Sequence, residues 1–276
     1  DAGLDSADPI AKKQIADDIA KGKYNDELLT RELINMYRDK HFISTNNGGR
    51  IGRTNIYKIV DDNNLYDKGY FSYLHTGDDS FEGLKQNLHW FDESHWSPQY
   101  LEYRKKYNLK YESLDDEYVQ KLYDKLPIVL DIEGIASGEK YYLQPGFLNS
   151  YFNIVTESCY YEDCIYFSEK TFRLISQLTP FLFVGTPFSL AKLREVGFKT
   201  FSPYIDESYD EIMDADERLN FLNSQVKSLL IGSDEKLKDI YIQSLPILEH
   251  NFNTLLKINW KDMVYKLVDM MESKLI

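Results

Sequence analysis

Short apolar runs alternate with short helical segments between residues 151 and 201, and this alternation limits the folds open to the chain. Three runs have the length and the aromatic or β-branched content of buried strands: residues 151–156, 180–185 and 198–201. Two helical segments separate them: 168–178, with Ser168 as a good N-cap, and 189–196, which stops at Gly197. Buried strands that alternate with helices predict an α/β fold with a parallel sheet.

A further strand and helix are predicted upstream. The β-rich run at 41–45 leads into a glycine-rich turn at 46–53, and a helix is expected from there to Asp62. This order is half of a βα unit. Residues 127–131 form a second short apolar run that ends in a carboxylate.

The chain divides into three regions by pattern. Residues 1–40 are expected to be helical, as a remnant of a further domain or a linker to one. Residues 41–207 form the predicted Rossmann-like domain, with a tyrosine-rich insertion at about 71–126 in which one or two short helices are expected between 100 and 123. Residues 208–276 are expected to be almost entirely helical, including segments at 245–256 and 262–271.

Composition narrows the classes of protein. The chain has 276 residues and a formal charge of 32 − 45 = −13, which argues against broad binding to nucleic-acid phosphates. No stretch has the roughly 18 apolar residues that a membrane span needs, so no membrane contact is expected. Two cysteines are too few for a disulfide framework and favour a reducing compartment, which predicts a cytoplasmic location.

Three clusters follow predicted strands or open a predicted helix, where α/β sheets bind ligands. They are Asn46 to Arg53, Thr156 to Ser158 and Ser168 to Thr171. Glycines in the first allow close backbone approach, and Arg50 and Arg53 could each hold a phosphate through paired hydrogen bonds. Each cluster also has a purely structural interpretation: a solvated turn for the first, and helix capping for the third.

The ordered motifs resemble those of the α-1,3-fucosyltransferases and of uncharacterised phage and bacterial relatives. The strings NIVTES (153–158), YFSEKTF (166–172) and PFLFVG (180–185) are similar to the family's F-E-N-S, Y-V-T-E-K and P-V-V-x-G patterns. Upstream, Asn46, Arg50 and Arg53, followed by LYDKGY (65–70), resemble an N-R-x-x-R-x-H-R region and an L-x-D-K-G turn. Ser158 replaces the family's Asn, and Gly52 replaces its His, which leaves the sugar and the nucleobase open.

The resemblance implies the donor-binding half of a GT-B glycosyltransferase, with two Rossmann-like domains and no catalytic metal. It implies that a nucleotide sugar, with a GDP-linked donor as one candidate, is bound as a substrate and that no cofactor is required. The implied contacts are Asn46, Arg50, Arg53, Glu157, Ser158, Tyr166, Ser168, Glu169, Lys170 and Thr171. The resemblance identifies no catalytic residue.

The expected reaction is an inverting, metal-independent transfer of the sugar to a hydroxyl of a glycan, a protein or a modified DNA base. One alternative is a non-catalytic module that binds a nucleotide sugar or a partner and lacks the acceptor half. Another is a phosphate-binding α/β protein with different chemistry.

Overall fold

The described part of the chain contains a sheet of four parallel strands in the order β2–β1–β3–β4. The structure is a computed structural model, and it describes residues 38–74, 80–88, 98–107, 115–130, 145–161 and 165–257. The strands are β1 (Lys40–Asn47), β2 (Gly69–Leu74), β3 (Ser150–Thr156) and β4 (Phe181–Val184). The predicted α/β class with a Rossmann-like parallel sheet is confirmed.

Helices connect the strands and follow the last of them. In chain order they are α1 (Ile51–Asp62), α2 (Phe81–Leu88), α3 (Pro98–Tyr107), α4 (Asp116–Tyr123), α5 (Pro145–Leu148), α6 (Glu169–Ser176), α7 (Ser189–Glu195), α8 (Ala215–Leu230) and α9 (Asp234–Lys257). The predicted helices after β1 and β3, the helix that stops at Gly197 and the two short helices between 100 and 123 are therefore confirmed.

Helix α1 covers one face of the sheet. The ring of Tyr57 in α1 lies 6.3 Å from that of Phe71 and 6.4 Å from that of Tyr73, centroid to centroid. The register pairs Ser44 with Phe71 and Asn46 with Tyr73, and paired residues of neighbouring strands project from the same face. The polar side chains of Ser44 and Asn46 therefore lie beneath α1.

The opposite face is covered by the helices that follow β3 and end the described chain. Tyr151 alternates with Phe152 along β3 and projects from this second face, where its ring lies 6.4 Å from that of Tyr241 in α9. Helix α9 packs against α6, and α8 packs against α1. The sheet is thus the middle layer of three, with aromatic and aliphatic side chains filling both interfaces.

The C-terminal helices are joined to the start of β1. His41 is buried, and its Nδ1 and Nε2 lie 2.8 Å from the carbonyl oxygen of Leu230 and 2.7 Å from Asp234 Oδ1, at the turn between α8 and α9. The predicted helix at 262–271 lies outside the described residues. So does the predicted helical segment 1–40 as far as residue 37, and Lys40 already belongs to β1.

One apolar run does not form the strand predicted for it. The strand predicted at 198–201 is wrong: Lys199 N donates to Asn251 Oδ1 (2.7 Å), Lys199 O accepts from Asn251 Nδ2 (2.8 Å), and Phe201 N donates to Glu207 Oε1 (2.7 Å). The side chains of Asn251 and Glu207 thus form the backbone hydrogen bonds that a neighbouring strand would otherwise provide. In the described part of the apolar run at 127–131, residues 127–130, Ile128 forms an isolated antiparallel bridge to Tyr73.

Strand β2 was not anticipated, because residues 71–74 fall in the segment predicted to be an insertion. The strand is short and aromatic, and its first residue, Gly69, lies against the ring of Phe42 so closely that a Cβ there would be 2.1 Å from Phe42 Cε1. Its place in the sheet depends on pairing with β1 rather than on a local pattern.

A carboxylate at the end of α1 holds α4 in place. Asp61 has a side chain that is only 6% exposed; it accepts from Lys121 (2.8 Å), from Lys125 and from the hydroxyl of Tyr66 (3.1 Å). Burial alone would raise the pKa of Asp61, but hydrogen bonds from the two ammonium groups lower it from 3.8 to about 2. The lysine side chains are about half exposed, so solvent weakens each pair.

We expect Asp61→Asn to lower the free energy of unfolding at pH 7 by about 1–2 kcal/mol, because the amide loses both charge-assisted contacts. The carboxylate's contribution is fully present above pH 4 and is lost as pH falls towards 2, so the difference between wild type and variant should shrink over that interval. Urea denaturation at several pH values measures it. Asp62→Asn is the matched control, because Asp62 forms an exposed ion pair with Lys58 whose loss should change stability by less than about 0.5 kcal/mol. Equal losses in both variants would contradict the assignment.

Candidate functional site

The candidate site lies where the two central strands end. β1 and β3 are neighbours, but the chain leaves β1 towards β2 and leaves β3 towards β4, so the strand order reverses between them. Connections that diverge in this way open a crevice at the carboxyl ends of the strands, where α/β proteins bind ligands. We call it the β1/β3 crevice. The predicted clusters at 46–53 and 156–158 both lie at its edge.

A buried polar network crosses from β1 to β3 beneath this crevice. Thr156 Oγ1 donates to Asn46 Oδ1 (2.7 Å), and Asn46 Nδ2 donates to Ser44 Oγ (3.0 Å). All three residues are at most 2% exposed. Both ends of the Asn46 amide are thus used within the protein, and its predicted contact with a ligand stays a prediction.

Arg53 joins the end of β1 to the segment after β3. Its side chain is buried; Nη1 donates to the carbonyl oxygens of Asn47 and Gly48 (3.1 Å for Gly48), and Nη2 donates to Ser158 Oγ (3.4 Å). Gly48 has a φ of 77°, a conformation that favours glycine. Arg53 therefore keeps a positive charge at the crevice while holding the glycine-rich turn against Ser158.

The first turn of α1 meets the crevice without a carboxylate of its own. The N-cap residue Arg50 has extended backbone and makes no side-chain capping bond, and the first turn of α1 contains no acidic residue. The half-buried Arg50 side chain donates from Nη1 to the carbonyl oxygen of Gly49 (2.7 Å). Gly52 lets α1 approach β4, because a Cβ there would lie 3.1 Å from Val184 Cγ1. The first turn of α1 therefore supplies no carboxylate to offset the positive end of the helix dipole.

Glu157 occupies the N-terminus of α6. It is 2% exposed; Oε1 accepts from Ser168 N (3.0 Å) and Thr171 Oγ1 (2.5 Å), and Oε2 accepts from Ser168 Oγ (2.7 Å). Ser168 Oγ in turn accepts from Lys170 N (3.2 Å), so its predicted role as N-cap is confirmed. Glu157 thus supplies the anion that a helix N-terminus favours, and its predicted contact with a sugar stays a prediction.

The other predicted site residues lie at the start of α6 or in the segment that leads to it. Glu169 and Lys170 are in the first turn of α6, and Tyr166 lies half-buried in the segment that leads to it. Direct contacts thus join the predicted residues into two groups: Arg53 with Ser158, and Glu157 with Ser168 and Thr171. Because Glu157 and Ser158 are adjacent, the two groups meet.

Sequence patterns did not reveal the capping role of Glu157, nor that the carboxylate of Asp210 caps α7. Asp210, in the acidic segment 206–210, accepts from the backbone N–H groups of Leu190 and Ala191 at 2.9 Å each. Burial raises the pKa of the Asp210 carboxyl, and these N–H donors oppose the rise. The sequence shows a run of carboxylates at 206–210, which does not identify the helix that one of them caps.

Comparison with protein-family models, with curated proteins and with solved structures finds no match for this chain. The likeness to fucosyltransferases therefore rests on the quoted motifs and stays a prediction. Among the described residues, no group of three or more His, Cys, Asp or Glu side chains is placed to hold a metal ion. No helix in those residues is both long and apolar enough to cross a bilayer.

We expect Glu157→Ala to lower the free energy of unfolding by about 2–4 kcal/mol, because it leaves buried donors of Ser168 and Thr171 without an acceptor. Glu157→Gln keeps one acceptor oxygen and should cost less. Hydrogen exchange of the amides at 168–171 should accelerate in Glu157→Ala, and urea denaturation gives the overall loss. The exposed Glu195→Gln on α7 is the control. Unchanged exchange in Glu157→Ala would show that the cap does not hold α6.

Proposed function

We propose that this chain binds a nucleotide sugar in the β1/β3 crevice and transfers the sugar to a hydroxyl acceptor, as a GT-B type glycosyltransferase. One observation carries the proposal. The segments 46–53, 156–158 and 168–171 are separated by more than 100 residues at the widest, yet Arg53 contacts Ser158, and Glu157 contacts Ser168. They meet at the edge of the sheet where nucleotide-binding α/β proteins hold their ligands.

The diphosphate is assigned to the N-terminus of α1. Glu157 already fills the N-terminus of α6, so a phosphate there would have to displace a carboxylate with three hydrogen bonds. The first turn of α1 has no acidic residue and follows a glycine-rich turn, which suits the close approach of an anion. Arg50 at its N-cap, with Lys170 from the first turn of α6, would supply positive charge.

The chemistry is a single displacement at the anomeric carbon of the sugar. The acceptor oxygen forms a bond to that carbon as the bond between the carbon and the diphosphate oxygen breaks, and the proton of the acceptor hydroxyl is released to solvent. Negative charge grows on the departing diphosphate. Preorganised cations and the helix dipole stabilise that charge without reorganisation, which is how this site would lower the barrier. Arg53 contributes its buried charge and holds the turn in position.

A non-catalytic module that binds a nucleotide sugar is the second candidate. The observation that favours it is the internal use of Glu157: both of its oxygens cap α6, although the resemblance implies a donor contact there. A carboxylate in this role stabilises the fold but leaves the sugar with one fewer partner. Donor turnover separates the two candidates.

We expect Arg50→Ala and Lys170→Ala each to weaken binding of a nucleoside diphosphate by about 1.5–3 kcal/mol, through loss of a charge-assisted contact. Calorimetric titration with GDP, UDP and ADP measures the effect. Lys192→Ala is the control, because Lys192 pairs with Glu195 on α7 and should leave affinity unchanged. Unchanged affinity in both Arg50→Ala and Lys170→Ala would remove the support for this site.

Turnover is tested with the nucleotide sugars of those bases, by following release of the nucleoside diphosphate with and without hydroxyl acceptors. Slow hydrolysis, accelerated by an acceptor, is the expected result. Binding without any hydrolysis or transfer would favour the non-catalytic module. If nucleotides bind but no nucleotide sugar does, the phosphate-binding alternative is favoured.

A further inference from the structure

A second recess lies on the outer side of α1, away from the polar network under the sheet. This cleft, of about 410 Å³, is lined by one side of α1, the beginning of α4 and one side of α8. We call it the α1–α8 cleft. Its volume lies within the range of small-molecule sites, about 300–1,000 Å³.

Amide side chains are the most frequent polar groups in this cleft. Asn55 comes from α1, and Asn220 and Asn223 come from α8. Asn55 Nδ2 donates to Ile51 O (3.0 Å), and among the described residues no hydrogen bond engages its Oδ1. In the part of the chain that the structure describes, Asn223 Oδ1 is buried and has no hydrogen-bond partner. Such an atom is uncommon in folded proteins, and a rotation of the Asn223 side chain would be needed for it to meet a ligand in the cleft.

The charges in the cleft do not suit an anion. Asp115 and Asp216 place two carboxylates in its lining, beside one cation, Lys58. Lys58 already pairs with Asp62, and its ammonium lies 5.0 Å from the centroid of the Tyr118 ring. A phosphate would therefore meet two negative charges and a cation that has other partners. This is not a second position for the diphosphate.

We infer that the α1–α8 cleft binds a neutral carbohydrate. An amide has both donors and an acceptor, and a carboxylate has only acceptors, so the ligand must donate and accept hydrogen bonds along the same surface. Sugar hydroxyls do both. An ammonium group can donate to the carboxylates but cannot accept from the N–H groups of Asn220 or Asn223.

The position of the cleft gives this carbohydrate a role, and that role rests on the proposed function. Ile51, the first residue of α1, lines the cleft, and the N-terminus of α1 is the proposed position of the diphosphate. A sugar in the cleft would thus lie next to the donor site. We assign it as the acceptor, which makes the acceptor a neutral glycan rather than a protein or a DNA base.

The test uses the full chain and a panel of neutral mono- and disaccharides, with saturation-transfer NMR to detect binding and titration to measure affinity. We expect Asn220→Ala and Asn223→Ala each to weaken saccharide binding by about fivefold to tenfold, as for the loss of one hydrogen bond. Affinity for GDP or UDP should not change. Gln243→Ala, which removes an exposed amide on α9, is the matched control. If Asn223→Ala lowers the melting temperature, the exposed Asn220 carries the test alone.

The proposal is overturned if no neutral saccharide binds, or if binding is equal in wild type and in the Asn220→Ala/Asn223→Ala double variant. It is also overturned if the double variant loses affinity for a nucleoside or a diamine instead of a saccharide. Failure of the proposed function looks different: saccharide binding would depend on both amides while no nucleoside diphosphate binds. That outcome supports the carbohydrate site and overturns only its role as acceptor site.

Discussion

The guanidinium of Arg53 connects the ends of the two central strands, and the shape of the crevice between them depends on it. At the end of β1, Arg53 donates hydrogen bonds to the carbonyl groups of Asn47 and Gly48, and it also donates to Ser158 across the crevice. Buried backbone oxygens left without donors would destabilise the turn. Glu157, next to Ser158, supplies an acceptor where Arg53 supplies donors: its Oε1 accepts a hydrogen bond from the backbone N–H group of Ser168.

The same contacts bear on how an acidic chain would form the proposed anion site. The formal charge is −13, yet the groups nearest the crevice would act most strongly on an anion there, because salt screens the more distant charges. Arg53 and the positive end of α1 lie on the β1 side of the crevice. The negative charge of Glu157 is stabilised by hydrogen bonds at the start of α6. The overall composition is therefore a poor guide to which ligand approaches this edge of the sheet.

Much of the fold could be predicted because its signals are local. Apolar runs at β3 and β4, the cap at Ser168 and the stop at Gly197 are properties of neighbouring residues. The strand prediction at 198–201 was wrong for a physical reason. Apolar side chains indicate that a segment is buried, but a buried segment becomes a strand only if another strand lies beside it to form hydrogen bonds. There the amide of Asn251, about 50 residues away, bonds both polar groups of the Lys199 backbone instead.

The same distinction, between local signals and contacts with distant residues, applies to the candidate site. Its residue types and their places after strands or before a helix follow from pattern alone, which is why the α/β class and the three clusters were predictable. Which of these residues face a ligand and which hold the protein together depends on partners distant in the chain: Ser158 lies 105 residues after Arg53, and Asn46 pairs with Thr156 110 residues later. Hydrogen bonds over such separations leave no periodic mark in a sequence, so only the folded chain could show that Arg53 is a bridge and Glu157 a cap.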